Sequence, residues 1–300
     1  MESKNLIFRI LGNDIFPIHS STQTYDNLLF TIKNEPVFEN TDKIYLLNKI
    51  IDNDKRQSIV DLLEANSVKF IEIPFNYDEF RNLPKISDEA AELCESIIAN
   101  DVGLSKYQKE FLSRELSEYR LFIMNINSAR NFCIKYGQEH KYKWTFVLDS
   151  NIFLTTKYYN LIIDNILPDT EYITIPQVRL SDANYSNEII LSDPDRIEKL
   201  STYEHQIAFA LSSKNTFNED IPYGTMNKGE FLNGLGVPGR WTTWISDLTI
   251  LGISQRVFEN VRYQTLSKCI RLNPGTSVNS INTNWLNRIL GTYLLYKQLS

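Results

Sequence analysis

The residues of this chain best equipped for chemistry lie in a few short segments. Asp149-Ser150-Asn151 sets a carboxylate and an amide oxygen two residues apart, a spacing that can hold a hard divalent cation, Mg2+ or Mn2+, which would in turn bind phosphate. The plain alternative for such an Asp is a helix cap after a strand. Asn127-Ser128-Ala129-Arg130-Asn131 reads as helical, which puts Asn127 and Asn131 on one face with Arg130 beside them. The planar donor fork of an arginine suits a diphosphate, although an Arg on a solvated helix face is the bland reading. Tyr203-Glu204-His205-Gln206 offers a base, a metal ligand and an amide at adjacent positions, and strand alternation sends Glu204 and Gln206 to one face and His205 to the other. Lys228, next to Asn227 and Glu230, can neutralise a leaving diphosphate, while Asn227 and Glu230 also fit a variant capping box. Gly12-Asn13-Asp14 suits a tight loop that brings backbone close to a ligand. Arg9, a cation inside an apolar strand, must be paired or face a cleft.

These segments need a scaffold, and the first half of the chain supplies its pattern: short apolar, β-branched runs alternate with longer amphipathic stretches, as in βα units feeding a mostly parallel sheet. Strands are expected at 5–11, 43–50, 70–75 and 144–148, with helices at 23–35 and 54–66 and more than one helix within 87–137. The run at 144–148 is apolar without alternation, the mark of a strand buried on both faces, and it delivers Asp149 at its carboxyl end, where open α/β sheets bind ligands. Further strands are expected at 171–180 and 205–211, and the glycine-containing turn at 234–239 opens a part that reads as mainly helical. The expected class is α/β, a mostly parallel twisted sheet flanked by helices in a Rossmann-type arrangement. A core over 1–215 is followed by an α-rich C-terminal extension over 216–300 packed on it.

Composition narrows the classes of partner. A net charge of −6 argues against a surface built for nucleic-acid phosphates, though a local basic pocket stays open. With 16 Tyr and 16 Phe among 300 residues the whole length should fold. Cys94, Cys133 and Cys269 are far apart and lack zinc-ligand spacing, which points to a reducing compartment. The apolar run after Met1 ends at Arg9, too short for a signal peptide, so a cytoplasmic location is expected.

The chain resembles bacterial glycosyltransferases of the nucleotide-sugar-dependent, GT-A-like type, particularly a group found with capsule and lipopolysaccharide genes. The resemblance is carried by Arg9-Ile10-Leu11-Gly12-Asn13-Asp14, Gln23 with 27–35, Leu47-Asn48-Lys49-Ile50 with Asp52, Ile73-Pro74-Phe75, Ala129-Arg130-Asn131, Asp149-Ser150-Asn151, Gln206-Ile207-Ala208-Phe209 and 223–239, so it spans most of 5–240. It implies that Asn13 and Asp14 belong to a donor loop, that Asp52 contacts ribose or base, and that Arg130, from an Ala-Arg-Asn helix with Asn131, contacts donor or diphosphate. It also implies that Asp149 and Asn151 form the metal element, with Asn151 in place of the usual second Asp. Arg9 and Lys228 join this set as cations for one diphosphate.

Transfer from a diphosphate donor needs charge stabilisation on the leaving group and, for an inverting course, a base for the acceptor hydroxyl. Glu204 is the leading base, with Asp247 behind it. The expected activity is that of a hexosyl- or N-acetylhexosaminyltransferase working from a UDP-sugar onto a glycan or lipid-linked acceptor. A sugar nucleotidyltransferase fits less well, because the loop after the first strand has one Gly and no Lys or Arg. A non-catalytic glycan-binding or assembly subunit is the third class. The apolar stripe at 285–296 reads as a core helix, with docking at the inner face of the membrane as the other use.

Overall fold

A computed structural model describes residues 4–100, 103–180, 186–273 and 284–300. Among these, nine strands form one sheet: β1 (Asn5–Leu11), β2 (Thr41–Asn48), β3 (Lys69–Ile73), β4 (Trp144–Asp149), β5 (Ile152–Phe153), β6 (Tyr172–Arg179), β7 (Thr202–Ala210), β8 (Tyr263–Thr265) and β9 (Cys269–Arg271). Their order is β3-β2-β1-β4-β7-β6-β9-β5, with β8 beside β9 on the free edge of β6. The first four positions are parallel, and β7 is inserted antiparallel between β4 and β6. This is the mostly parallel, helix-flanked α/β arrangement of Rossmann-like, GT-A-type folds.

Continuous apolar runs form the central strands because both faces of the sheet are covered. All seven positions of β1 are buried. On one face Phe8, Leu46 and Ile207 pack with Ala129 and Cys133 of the helix Ile126–Glu139 and with Phe231 and Trp241. On the other, Ile7, Phe146 and Ala208 meet Tyr159 and Ile162 of the helix Thr156–Ile163. Each such large side chain withdrawn from water contributes about 1.5–3 kcal/mol.

The stretch expected to hold more than one helix contains Asp88–Asn100, Lys106–Glu115, Ser117–Met124 and Ile126–Glu139. The first three pack against the C-terminal helix Asn284–Leu299 through Leu286, Ile289, Leu290 and Tyr293. The apolar stripe of that helix is therefore used inside the molecule, as the core-helix reading of 285–296 expects. No helix among the described residues is long and apolar enough to cross a membrane. Gly291 permits the close approach of this helix to the loop after β1: a Cβ there would stand 2.0 Å from Ile15 Cγ2 and 2.5 Å from the Phe16 carbonyl oxygen.

Beyond 215 the sequence reads as helical, yet β8 and β9 pair with β6 and extend the same sheet. Strands of three residues are too short to show periodicity, and only the exposed edge of β6 makes them strands.

Candidate active site

The sheet order collects the polar segments. β1, β4, β6 and β9 point the same way, so Gly12-Asn13-Asp14, Asp149-Ser150-Asn151, Gln177 and Arg271 arrive at one rim. β7 runs in the opposite sense, so its beginning, Glu204-His205-Gln206, reaches that rim as well. β1 and β4 lie side by side where the chain order reverses, the switch point at which open α/β sheets form a crevice. A cleft of about 400 Å3 opens there. Residues singled out from sequence line it, among them Asn13, Asp14, Arg130, Asp149, Asn151, Glu204, His205 and Lys228.

At its centre Asp149 is held between two cations. Arg130 Nη2 donates to Asp149 Oδ1 at 3.0 Å, and Lys228 Nζ donates to Oδ2 at 2.6 Å. Arg130 is itself oriented by Nη1 donating to Asn127 Oδ1 at 2.9 Å. A buried amide chain links Asp149 to the expected base. Gln206 Nε2 donates to Asp149 Oδ2 (3.2 Å) and to Gln177 Oε1 (3.0 Å), and Gln177 Nε2 donates to Glu204 Oε2 (2.9 Å). Arg271 Nη1 reaches the same Glu204 oxygen at 3.4 Å. The two glutamines are essentially inaccessible to solvent, so the two carboxylates have a defined separation.

Burial alone would raise the Asp149 pKa, but Lys228 and Arg130 outweigh it and hold the carboxyl well below the usual range. Glu204 follows the same logic more weakly: burial opposes ionisation, while Arg271 and Lys228 draw its pKa down. Both are carboxylates at neutral pH. Burial, with Lys228 nearby, lowers His205 to about 4. His19, which also lines the cleft, is lowered to about 4 by burial against the contrary pull of Asp14. Its Nδ1 accepts from the Ile15 N–H at 3.0 Å, which leaves the proton on Nε2. Arg130, Lys228, Arg271 and Arg288 line the cleft together with Asp149 and Glu204, while Asp14 is offset by Lys55. Four cations against two carboxylates leave an excess that suits a dianionic ligand such as a diphosphate diester.

The donor set does not fit a hard divalent cation. Both Asp149 oxygens already carry a cationic donor, and Asn151 adds no charge. Among the described residues no group of three His, Cys, Asp or Glu side chains is arranged to hold a metal ion.

Other expected site residues are spent on structure. Arg9 lies in the core, paired with Glu35 and donating from Nε to the Ile152 carbonyl at 3.1 Å, and it does not line the cleft. Asp52 caps the helix Asn53–Ala65, accepting from the Lys55 N–H at 3.0 Å, on the exposed side. Asn131 pins the loop after β7, donating to the Phe217 carbonyl (3.0 Å) and accepting from its N–H (2.8 Å). Asn13 and Asp14 reach the cleft wall, but their polar atoms are engaged. Asn13 bridges Lys49, Ile51 and Ile123 backbone, and Asp14 accepts from Thr24 and Lys55. Asp247 falls in the helix Ile245–Ile250, and its side chain lies outside the described residues.

Gln177, Arg271, Arg288, His19, Trp241 and Trp285 also line or support the cleft without having been singled out. Gln177 carried a legible signal, a long amide inside an otherwise apolar strand, of the same kind that drew attention to Arg9. Arg288 carried none, since a cation on a terminal helix is ordinary.

No protein-family model and no curated protein matches the chain. Solved structures with which it aligns include a 4-diphosphocytidyl-2C-methyl-D-erythritol synthase from Anaerococcus prevotii, at 10% identity over 98% of this chain and 96% of that one, with a TM-score of 0.28. Mouse xyloside xylosyltransferase 1 aligns at 10% identity over 70% of this chain and 67% of that one, with a TM-score of 0.29. A mannosyltransferase from S. cerevisiae aligns at 15% identity over 66% and 45%, with a TM-score of 0.25. Likeness at these scores carries no weight for function, which has to be read from the cleft.

Proposed function

We propose that the chain is a glycosyltransferase that moves a sugar from a nucleotide-diphosphate donor to a hydroxyl acceptor. One observation carries this reading: at the switch point of the sheet, Lys228 and Arg130 converge on Asp149 while Glu204 is fixed across the same cleft as an ionised carboxylate. The cations stabilise the charge that develops on the diphosphate as the bond from its β-phosphate oxygen to the anomeric carbon breaks. Glu204 takes the proton of the acceptor hydroxyl as the new glycosidic bond forms, an inverting course. Arg271 and Gln177 position Glu204 for this, both through its Oε2.

A UDP-sugar is the donor we favour, with a glycan or lipid-linked acceptor in surface polysaccharide synthesis and a hexosyl or N-acetylhexosaminyl unit transferred. The test is a thermal-shift panel of UDP-, GDP-, CMP- and TDP-sugars followed by product analysis. One sugar nucleotide should raise the melting temperature and be slowly hydrolysed, with Glu204→Gln lowering turnover about a hundredfold at unchanged melting temperature. A folded protein that neither binds nor hydrolyses any of them would overturn the reading. Binding without turnover would leave a glycan-assembly subunit.

A further inference from the structure

The segment Asp149-Ser150-Asn151 stands where a metal-binding carboxylate pair is expected, but its surroundings invert that role. Asp149 presents one oxygen to Arg130 and the other to Lys228, and its side chain is still 31% exposed toward the cleft. Lys228 and Arg130 are 12% and 5% exposed, each paired with Asp149, and all three side chains line the open cleft. The loop itself is tied down, because the Asn151 carbonyl accepts from the Leu272 N–H at 2.8 Å. A divalent ion seated on Asp149 would have to displace an ammonium group and then sit against the guanidinium of Arg130. An incoming diphosphate meets no such barrier: two preset cations face it, and the carboxylate behind them keeps both side chains in place.

We infer that Lys228 and Arg130 stand in for the divalent cation, so that this cleft binds the diphosphate of its donor without metal and Asp149 is a positioning residue for the two cations. The inference rests on the donor reading given above and specifies how that donor is held. Lys228, from the first turn of the helix Asn227–Gly234, then takes the β-phosphate, and Arg130 shares it from the helix Ile126–Glu139.

The test is calorimetric titration of the wild-type protein with UDP, GDP, CDP, TDP and inorganic pyrophosphate, once in excess EDTA and once in millimolar Mn2+. For whichever diphosphate binds best, the two dissociation constants should agree within about threefold, since no metal bridge is lost. Lys228→Met should weaken binding by about tenfold or more in both buffers, and Lys228→Arg should restore most of it. Tightening by Mn2+ beyond that margin, or binding in Mn2+ alone, would overturn the inference and return Asp149 to the metal-ligand role while leaving the donor reading intact. A loss of less than about threefold in Lys228→Met would also overturn it. If no diphosphate binds the folded wild-type protein in either buffer, the donor reading itself fails. The wild-type titrations decide the metal question even if Lys228→Met does not fold, and circular dichroism reports which variants do.

Discussion

Glu35 and Asp149 are each gripped by one arginine and one lysine, and of the two Asp149 faces the open cleft. Glu35 pairs with Arg9 and with Lys43 Nζ at 2.8 Å, and its side chain is 1% exposed. It also accepts from the Leu154 N–H at 2.9 Å, so its oxygens are saturated inside the protein. Asp149 pairs with Arg130 and Lys228 by the same chemistry but is 31% exposed, at the rim where the strands end. The Glu35 cluster closes helix Gln23–Asn34 onto the sheet, since Glu35 is the C-terminal cap of that helix. The Asp149 cluster leaves cationic donors free to turn toward a guest. An arginine, a lysine and a carboxylate thus form a sealed structural staple or a cluster open to a cleft according to whether the surrounding fold leaves one side uncovered.

The sharpest way to break this contrast is to remove each carboxylate in turn. Glu35→Ala strands Arg9 in the core and should cost about 3–5 kcal/mol in urea unfolding, with Arg9→Met in the same background recovering much of it. If Glu35→Ala unfolded no more easily than wild type, the sealed cluster would not be a staple. Asp149→Asn faces water and should cost only about 1–2 kcal/mol, while lowering kcat/KM about tenfold because the cations lose their anchor. Equal destabilisation by the two variants would erase the distinction.

Acid titration separates the two regions further, because the cleft holds His19 and His205. His19 is lowered from 6.5 to about 4, so the folded state resists protonation that the unfolded chain accepts. Its contribution is therefore complete above pH 6.5 and is lost as pH falls toward 4, about 2 kcal/mol after allowance for its partial contact with solvent. His19→Gln should flatten the melting-temperature profile over that window, and an unchanged slope would remove His19 from the account. The smallest effect concerns the amide chain. Gln177→Leu frees Glu204 Oε2 from one donor and should shift the acidic limb of the rate profile upward by about half a pH unit, with little change in melting temperature. A shift in melting temperature alone would make Gln177 a packing residue.

Much of this contrast was invisible along the chain, and particular residues show why. Arg9 and Arg130 both looked like ligands for a diphosphate. Arg9 sits on a strand buried on both faces, where only an internal partner can satisfy it, and Glu35 supplies one. Arg130 sits on a helix whose inner face meets the end of β4, so its partner lies at the rim. Asn13, Asp14, Asp52 and Asn131 are short polar side chains near strand and helix ends, and the structure gives them capping and loop-pinning hydrogen bonds that local pattern does not distinguish from ligand contacts. Glu204 reaches the rim because β7 enters the sheet antiparallel, a topology that local pattern does not encode.

Local pattern along the chain sets the longer strands and helices and the class of fold, but not the short strands β5, β8 and β9. β1 at Asn5–Leu11 and β4 at Trp144–Asp149 follow from continuous apolar runs, and the helix Gln23–Asn34 stops before Pro36, because burial and backbone restriction are local properties that a short window records. It also placed Asp149 at a strand end, where ligands gather. Which cations meet which carboxylates follows from the three-dimensional packing alone. Lys228 comes to Asp149 from 79 residues away and Glu35 to Arg9 from 26. Pairing of that kind depends on strand order and distance in space, and these are settled by the packing of the whole sheet.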